Sequence, residues 1–78
     1  PMTTPRLIIG ISGASGAIYG IRLLEALRAS KAVETHLIIS RTAQLTITQE
    51  TDYTVADVQA LADAVHPAAD LSACIASG

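Results

Sequence analysis

Leu7-Ile8-Ile9-Gly10-Ile11-Ser12-Gly13-Ala14-Ser15-Gly16-Ala17 is the stretch that decides how this chain folds. Leu7 to Ile11 is a continuous apolar run rich in β-branched residues, the pattern of a strand buried on both faces in a parallel sheet. Six small residues follow as a loop, and a helix starts near Gly16 or Ala17 and runs to about Ser30. Gly13 and Gly16 let backbone N–H groups approach a ligand without interference from a β-carbon. The helix N-terminus adds partial positive charge and unpaired N–H donors, and Ser12 and Ser15 add hydroxyls. This is an anion-binding construction, and the usual anion is a phosphate. The plainer reading is a tight turn that packs a helix on a strand. The strand-before, helix-after context favours the phosphate loop. No Gly-Lys-Ser/Thr follows, so it is not a Walker A loop.

Outward from this stretch, Ile18, Ile21, Leu24, Leu27 and, nearby, Leu23 form the apolar face of the first helix. Thr35-His36-Leu37-Ile38-Ile39-Ser40 reads as a second strand, completing a βαβ unit with a right-handed crossover. Arg41 to about Glu50 reads as a second helix, although its threonines weaken the propensity. Thr54 is placed as an N-cap, with Asp57 in the capping-box position. Val55, Val58, Leu61, Ala62 and Val65 then give a third helix its core face, and His66-Pro67 stops it. Asp70 to Ile75 reads as one further helical turn.

The resulting order is β-α-β-α-α. Two strands cannot cover the apolar faces of three helices. Residues 1–78 therefore read as the N-terminal portion of a single larger α/β domain, a parallel sheet with flanking helices, whose remainder follows residue 78.

Composition narrows the function classes. Half of the 78 residues are hydrophobic, yet there is no Phe or Trp and there are only two Tyr. That leaves no aromatic platform for single-stranded nucleic acid. Five basic and seven acidic side chains give a net charge of −2. No basic patch stands out, which argues against a nucleic-acid partner. Cys74 is the one cysteine, so no internal disulfide forms and a reduced, cytoplasmic setting is the simplest reading. Leu7 to Ile11 is too short to span a bilayer, so no membrane partner is expected. His36 reads as a core or strand-edge histidine, with no second ligand at metal spacing. Tyr19, in the first helical turn, reads first as a packing residue, with contact to flavin or to a neighbouring subunit as the second reading.

Two phosphate-bearing cofactors fit the loop. A dinucleotide site places Asp or Glu at the end of the second strand to hold the adenosine ribose. Ser40-Arg41 stands there instead, which disfavours NAD and leaves NADP open through Arg41. A mononucleotide such as FMN needs only phosphate donors at that point, and Ser40 is one.

Ile9-Gly10-Ile11-Ser12-Gly13-Ala14-Ser15-Gly16-Ala17-Ile18-Tyr19-Gly20 resembles the opening of the flavin prenyltransferases, the UbiX/Pad family. The resemblance continues through Glu34-Thr35-His36-Leu37, Ser40, Glu50-Thr51-Asp52, Val58 to Asp63 and Ser77-Gly78. It implies a flavodoxin-like or Rossmann-like fold and a large homo-oligomer. It also implies transfer of a dimethylallyl group from dimethylallyl phosphate to reduced FMN, at N5 and C6. The product serves partner decarboxylases, including the one in ubiquinone biosynthesis. Carried over by position, Gly13, Ala14, Ser15 and Ser40 would contact FMN. Ser15 would lie near the reacting flavin edge, and Glu50 would be the acidic residue serving the prenyl phosphate and proton handling. The family's Pro-Cys-Ser segment, its later arginines and its phosphate-gripping tyrosine and lysine have no counterpart within these residues. Ser15 also has a plainer reading as a helix N-cap, and Glu50 as a solvated helix-end acid. The rival functions are an NADP-dependent oxidoreductase using the same loop and a non-catalytic FMN-binding module.

Overall fold

Alternation in two adjacent strands sets up the core. The structure is a computed structural model that describes residues 4–13 and 16–71. Its elements are β1 (Arg6–Ile11), α1 (Ala17–Ser30), β2 (Glu34–Ile39), α2 (Arg41–Glu50), α3 (Val55–Gln59) and β3 (Ala64–His66). β1 and β2 pair in parallel with Ile9 opposite Leu37 and Ile11 opposite Ile39. Residues two apart share a sheet face, so these four side chains point the same way. They are buried in one cluster with Ile21 and Leu24 of α1, Ala43 and Ile47 of α2, and Val58 of α3.

Among the described residues the sheet has three strands in the order β1-β2-β3, all parallel. Each crossover steps in the same direction, and crossovers of one hand then place their helices on one face. That is why a single cluster gathers all three helices. The α/β class expected from the sequence, a parallel sheet with flanking helices, is the one observed.

The third strand corrects the expectation of a helix reaching Val65. The Thr54 capping box is present, with the Thr54 hydroxyl accepting from the Asp57 N–H and the Asp57 carboxylate accepting from the Thr54 N–H. The helix nevertheless ends at Gln59. Its place is taken by a clamp on β2. The Thr35 N–H and hydroxyl donate to Asp63 Oδ2 at 2.7 and 3.2 Å, and the Asp63 N–H donates back to the Thr35 carbonyl at 3.1 Å. The chain then extends along β2, with Ala64 opposite His36 and Ile38 opposite His66. Pairing with an open strand edge outweighs a short stretch of helical periodicity. Leu61 and Ala62 still pack on the core, whereas Val65 is exposed.

Leu23 is a smaller correction. It is exposed, one 100° step off the α1 face that buries Ile21 and Leu24. The opposite sheet face carries the exposed Ile8 and the buried Ile38. A β-carbon at Gly10 on this face would lie 2.8 Å from Leu71 Cδ1, so Leu71 sits directly against the Gly10 backbone. The turn after Pro67 is described through Leu71. The rest of the turn expected over 70–75, with Cys74, lies outside the described residues. No helix among the described residues is long and apolar enough to cross a membrane.

Candidate functional site

The glycine loop leaves β1 at its C-terminal end. Ser12 and Gly13 are exposed, and Gly13 has φ +82°. That left-handed conformation costs a residue with a side chain about 1–2 kcal/mol. A β-carbon at Gly13 or Gly16 would meet nothing within 4 Å, so the space beside the loop backbone is open. Gly16, rather than Ser15, is the N-cap of α1, and it offers no side-chain hydrogen bond. The helix therefore begins with backbone N–H donors that no N-cap side chain satisfies. Ala14 and Ser15 lie outside the described residues. Gly20 aims the helix: its β-carbon would lie 2.8 Å from both Ile11 Cδ1 and Cγ1. Only a glycine lets α1 sit this tightly on the end of β1.

Ser40 stands at the same sheet edge. Its N–H donates to the Ile11 carbonyl at 2.9 Å, and its hydroxyl oxygen accepts from the Ala43 N–H at 3.1 Å. Ser40 is thus the N-cap of α2, with extended backbone. Serine followed by a helical segment is the signal that would have found this second role. An accepting hydroxyl still has its own proton to donate to an anion. The Gln44 side-chain amide closes the strand end by donating to the Ile39 carbonyl at 3.1 Å. The edge therefore offers two helix N-termini, the glycine backbone and a serine hydroxyl.

Glu50 is placed elsewhere. It is exposed at the far end of α2, roughly 15 Å from Ser40 along the helix axis at about 1.5 Å per residue. Among the described residues its carboxylate has no hydrogen-bond or ion-pair partner. Tyr19, expected to pack, is 74% exposed in the first turn of α1. Tyr53 packs against the core, and its hydroxyl donates to Glu25 Oε2 at 2.9 Å. That bond and the Glu25 charge raise the Tyr53 pKa above the usual tyrosine value. A groove of about 860 Å³ opens at the other end of the sheet, beside Thr4, Lys31, Glu34, Leu61 and Asp63. It lies at the N-terminal ends of the strands, away from the glycine loop.

The family model described as Flavoprotein matches residues 1–76. The chain belongs to the Flavoprotein family. Among flavoproteins it is 58% identical over 73 residues to the flavin prenyltransferase UbiX of Escherichia coli K12, covering 94% of this chain and 39% of that protein. It is 55% identical to the UbiX of Thauera aromatica, again over 94% of this chain and 37% of the relative. The crystal structure of the flavoprotein AnUbiX (PadA1) in complex with FMN and dimethylallyl pyrophosphate superposes with a TM-score of 0.78 at 48% identity, covering 83% of this chain and 34% of that one. A dodecameric FMN-dependent UbiX-like decarboxylase from Escherichia coli O157:H7 superposes at 0.76 with 52% identity, over 80% of this chain and 34% of its own. The chain thus spans about two fifths of the length of the curated flavoproteins it matches.

Proposed function

We propose that this chain forms the first part of the single FMN-binding domain of a flavin prenyltransferase. The observation that carries the reading is the shared sheet edge: the open backbone around Gly13 and the hydroxyl of Ser40 flank one space at the C-terminal ends of β1 and β2. Ligands of open α/β sheets bind at that end. The donor set is phosphate chemistry throughout, with backbone N–H groups, a hydroxyl and two helix N-termini.

In this reading Gly13, Ala14, Ser15 and Ser40 hold the FMN phosphate and flavin. The glycines admit the backbone to close range, and the hydroxyls donate to the anion. FMN supplies, when bound and reduced, the nucleophilic ring that receives the prenyl group. Ser15 orients its reacting edge. Glu50 serves the departing phosphate and proton transfer. The allylic C–O bond of dimethylallyl phosphate breaks, and phosphate leaves with the electron pair. The distance of Glu50 from Ser40 along α2 favours a role toward a neighbouring subunit's site in a homo-oligomer. A cytoplasmic setting suits an enzyme that hands its product to partner decarboxylases.

The UbiX relatives and the FMN-bound neighbour support this reading over an NADP-dependent oxidoreductase or a non-catalytic module. The test is direct. Full-length protein mixed with reduced FMN and dimethylallyl phosphate is expected to give a changed flavin spectrum and free phosphate in equal amounts. Binding of NADPH with no affinity for FMN would overturn the proposal. Flavin binding without phosphate release would reduce it to a binding module.

A further inference from the structure

A chain of three polar side chains crosses the sheet face opposite the helices. Glu34 Oε1 lies 2.6 Å from His36 Nε2, and His36 Nδ1 lies 2.9 Å from His66 Nε2. The two imidazole planes are inclined by only 19°, with centroids 5.1 Å apart. That is an edge-to-edge arrangement, the geometry of an in-plane N–H···N bond. Each ring is partly buried, and the His36 side chain is 16% exposed.

Proton counting follows from the contacts. The Glu34 carboxylate accepts, so His36 Nε2 carries a proton. A neutral His36 then has a bare Nδ1, which accepts from His66 Nε2–H. With one extra proton the bond survives, because His36 can become the donor and His66 the acceptor. With a proton on every ring nitrogen no acceptor is left, and two N–H groups face each other across 2.9 Å.

The position of this bond gives it leverage. β3 has only three residues. The Asp63–Thr35 clamp fixes its start, and His66 is its last residue. Five residues further on, Leu71 sits against Gly10, which precedes Ile11 and the glycine loop. Among the described residues, the ionisable groups on the adjoining elements are Arg6, Glu34, Asp63 and Asp70. β1 contributes Arg6, whose Nε is 3.5 Å from Glu34 Oε1, and β2 contributes Glu34 itself. The turn after β3 carries Asp70, one residue before Leu71.

We infer that His36 and His66 form an acid-released latch that holds the end of β3, and with it Leu71, against the strand that carries the glycine loop. At neutral pH the latch is closed. When acid protonates both rings it opens, β3 leaves the edge of β2, and the support behind Gly10 is lost.

The experiment is hydrogen exchange on the full-length protein, corrected for intrinsic rates, from about pH 7.5 downward to the pH at which both rings are charged. Protection of the His66 amide, which faces β2 in the parallel register, is expected to fall by about three- to tenfold, the worth of one hydrogen bond. The fall should track the appearance of the second imidazolium in ¹⁵N spectra of the rings. His66→Gln keeps a donor for His36 Nδ1 without a titrating ring, so its profile should stay flat. Both rings charged with β3 protection unchanged would overturn the latch, and so would equal profiles for wild type and His66→Gln. These readouts need no flavin, so they stand or fall apart from the proposed activity.

Discussion

The Ser40 N–H donates to the Ile11 carbonyl across 2.9 Å, joining the residue that closes β1 to the residue that caps α2. This bond brings the glycine loop and the Ser40 hydroxyl to one edge, and it lets the two roles of Ser40 be separated. Ser40→Ala removes the cap and should cost about 0.5–2 kcal/mol of stability. Ser40→Asp restores a capping oxygen and should recover most of that loss in urea denaturation. It should nevertheless weaken FMN binding by about 100-fold or more, since like charges about 4 Å apart near a surface repel by about 4 kcal/mol. An aspartate variant that binds FMN as well as wild type would remove Ser40 from the phosphate site.

Gly13 combines a left-handed backbone with open space. Gly13→Val puts a branched side chain where the ligand would lie and strains the turn by about 1–2 kcal/mol. Flavin titration of the full-length variant should show no saturable binding, with the far-ultraviolet dichroism of the helices retained. Unchanged affinity would contradict close approach of the backbone.

Gly20 is a packing glycine. Gly20→Ala gains about 1 kcal/mol of helix propensity. It drives a β-carbon to 2.8 Å from Ile11, an overpacking that costs about 1–3 kcal/mol. The net expectation is a lowered denaturation midpoint, partly recovered by adding Ile11→Val. Additive effects of the two substitutions would show that α1 does not press on Ile11.

Glu50 stands apart from the edge that carries the glycine loop and Ser40. Glu50→Gln in the full-length enzyme should leave FMN affinity nearly intact. It should slow prenyl transfer by about 10²–10⁴-fold, the range for a lost general acid or base. Single-turnover spectra with reduced FMN and dimethylallyl phosphate measure this. A wild-type rate would make Glu50 a solvated helix-end acid.

Tyr53 donates to Glu25, and its pKa is raised first by that hydrogen bond and then by the Glu25 charge. The folded value lies above the unfolded value of 10.0. The stabilisation is therefore fully present below pH 10 and lost as pH rises through the folded value. Phenolate absorbance should show Tyr53 titrating at lower pH in Glu25→Gln than in wild type. Coincident titrations would mean that the contact is not formed in solution.

What the sequence determined was local. The β-branched run before the glycines, the apolar spacing in α1 and the Thr54–Asp57 box specify their elements within a few residues of themselves. The same holds for the glycine-loop half of the candidate site, because a strand, a glycine loop and a helix are consecutive in the chain, whereas Ser40 joins it through the Ile11 carbonyl. Tertiary structure decided the rest. β3 has three residues, too few for any periodicity, and it is a strand because the edge of β2 and the Thr35–Asp63 clamp are there to receive it. His66 reads in sequence as the end of a helix. Only that pairing brings it, from thirty residues away, to within a hydrogen bond of His36. The 2.8 Å fit of Gly20 on Ile11 likewise depends on how closely a helix approaches a strand. Contacts between distant residues form only when the fold has closed the loops between them, so no local pattern encodes them.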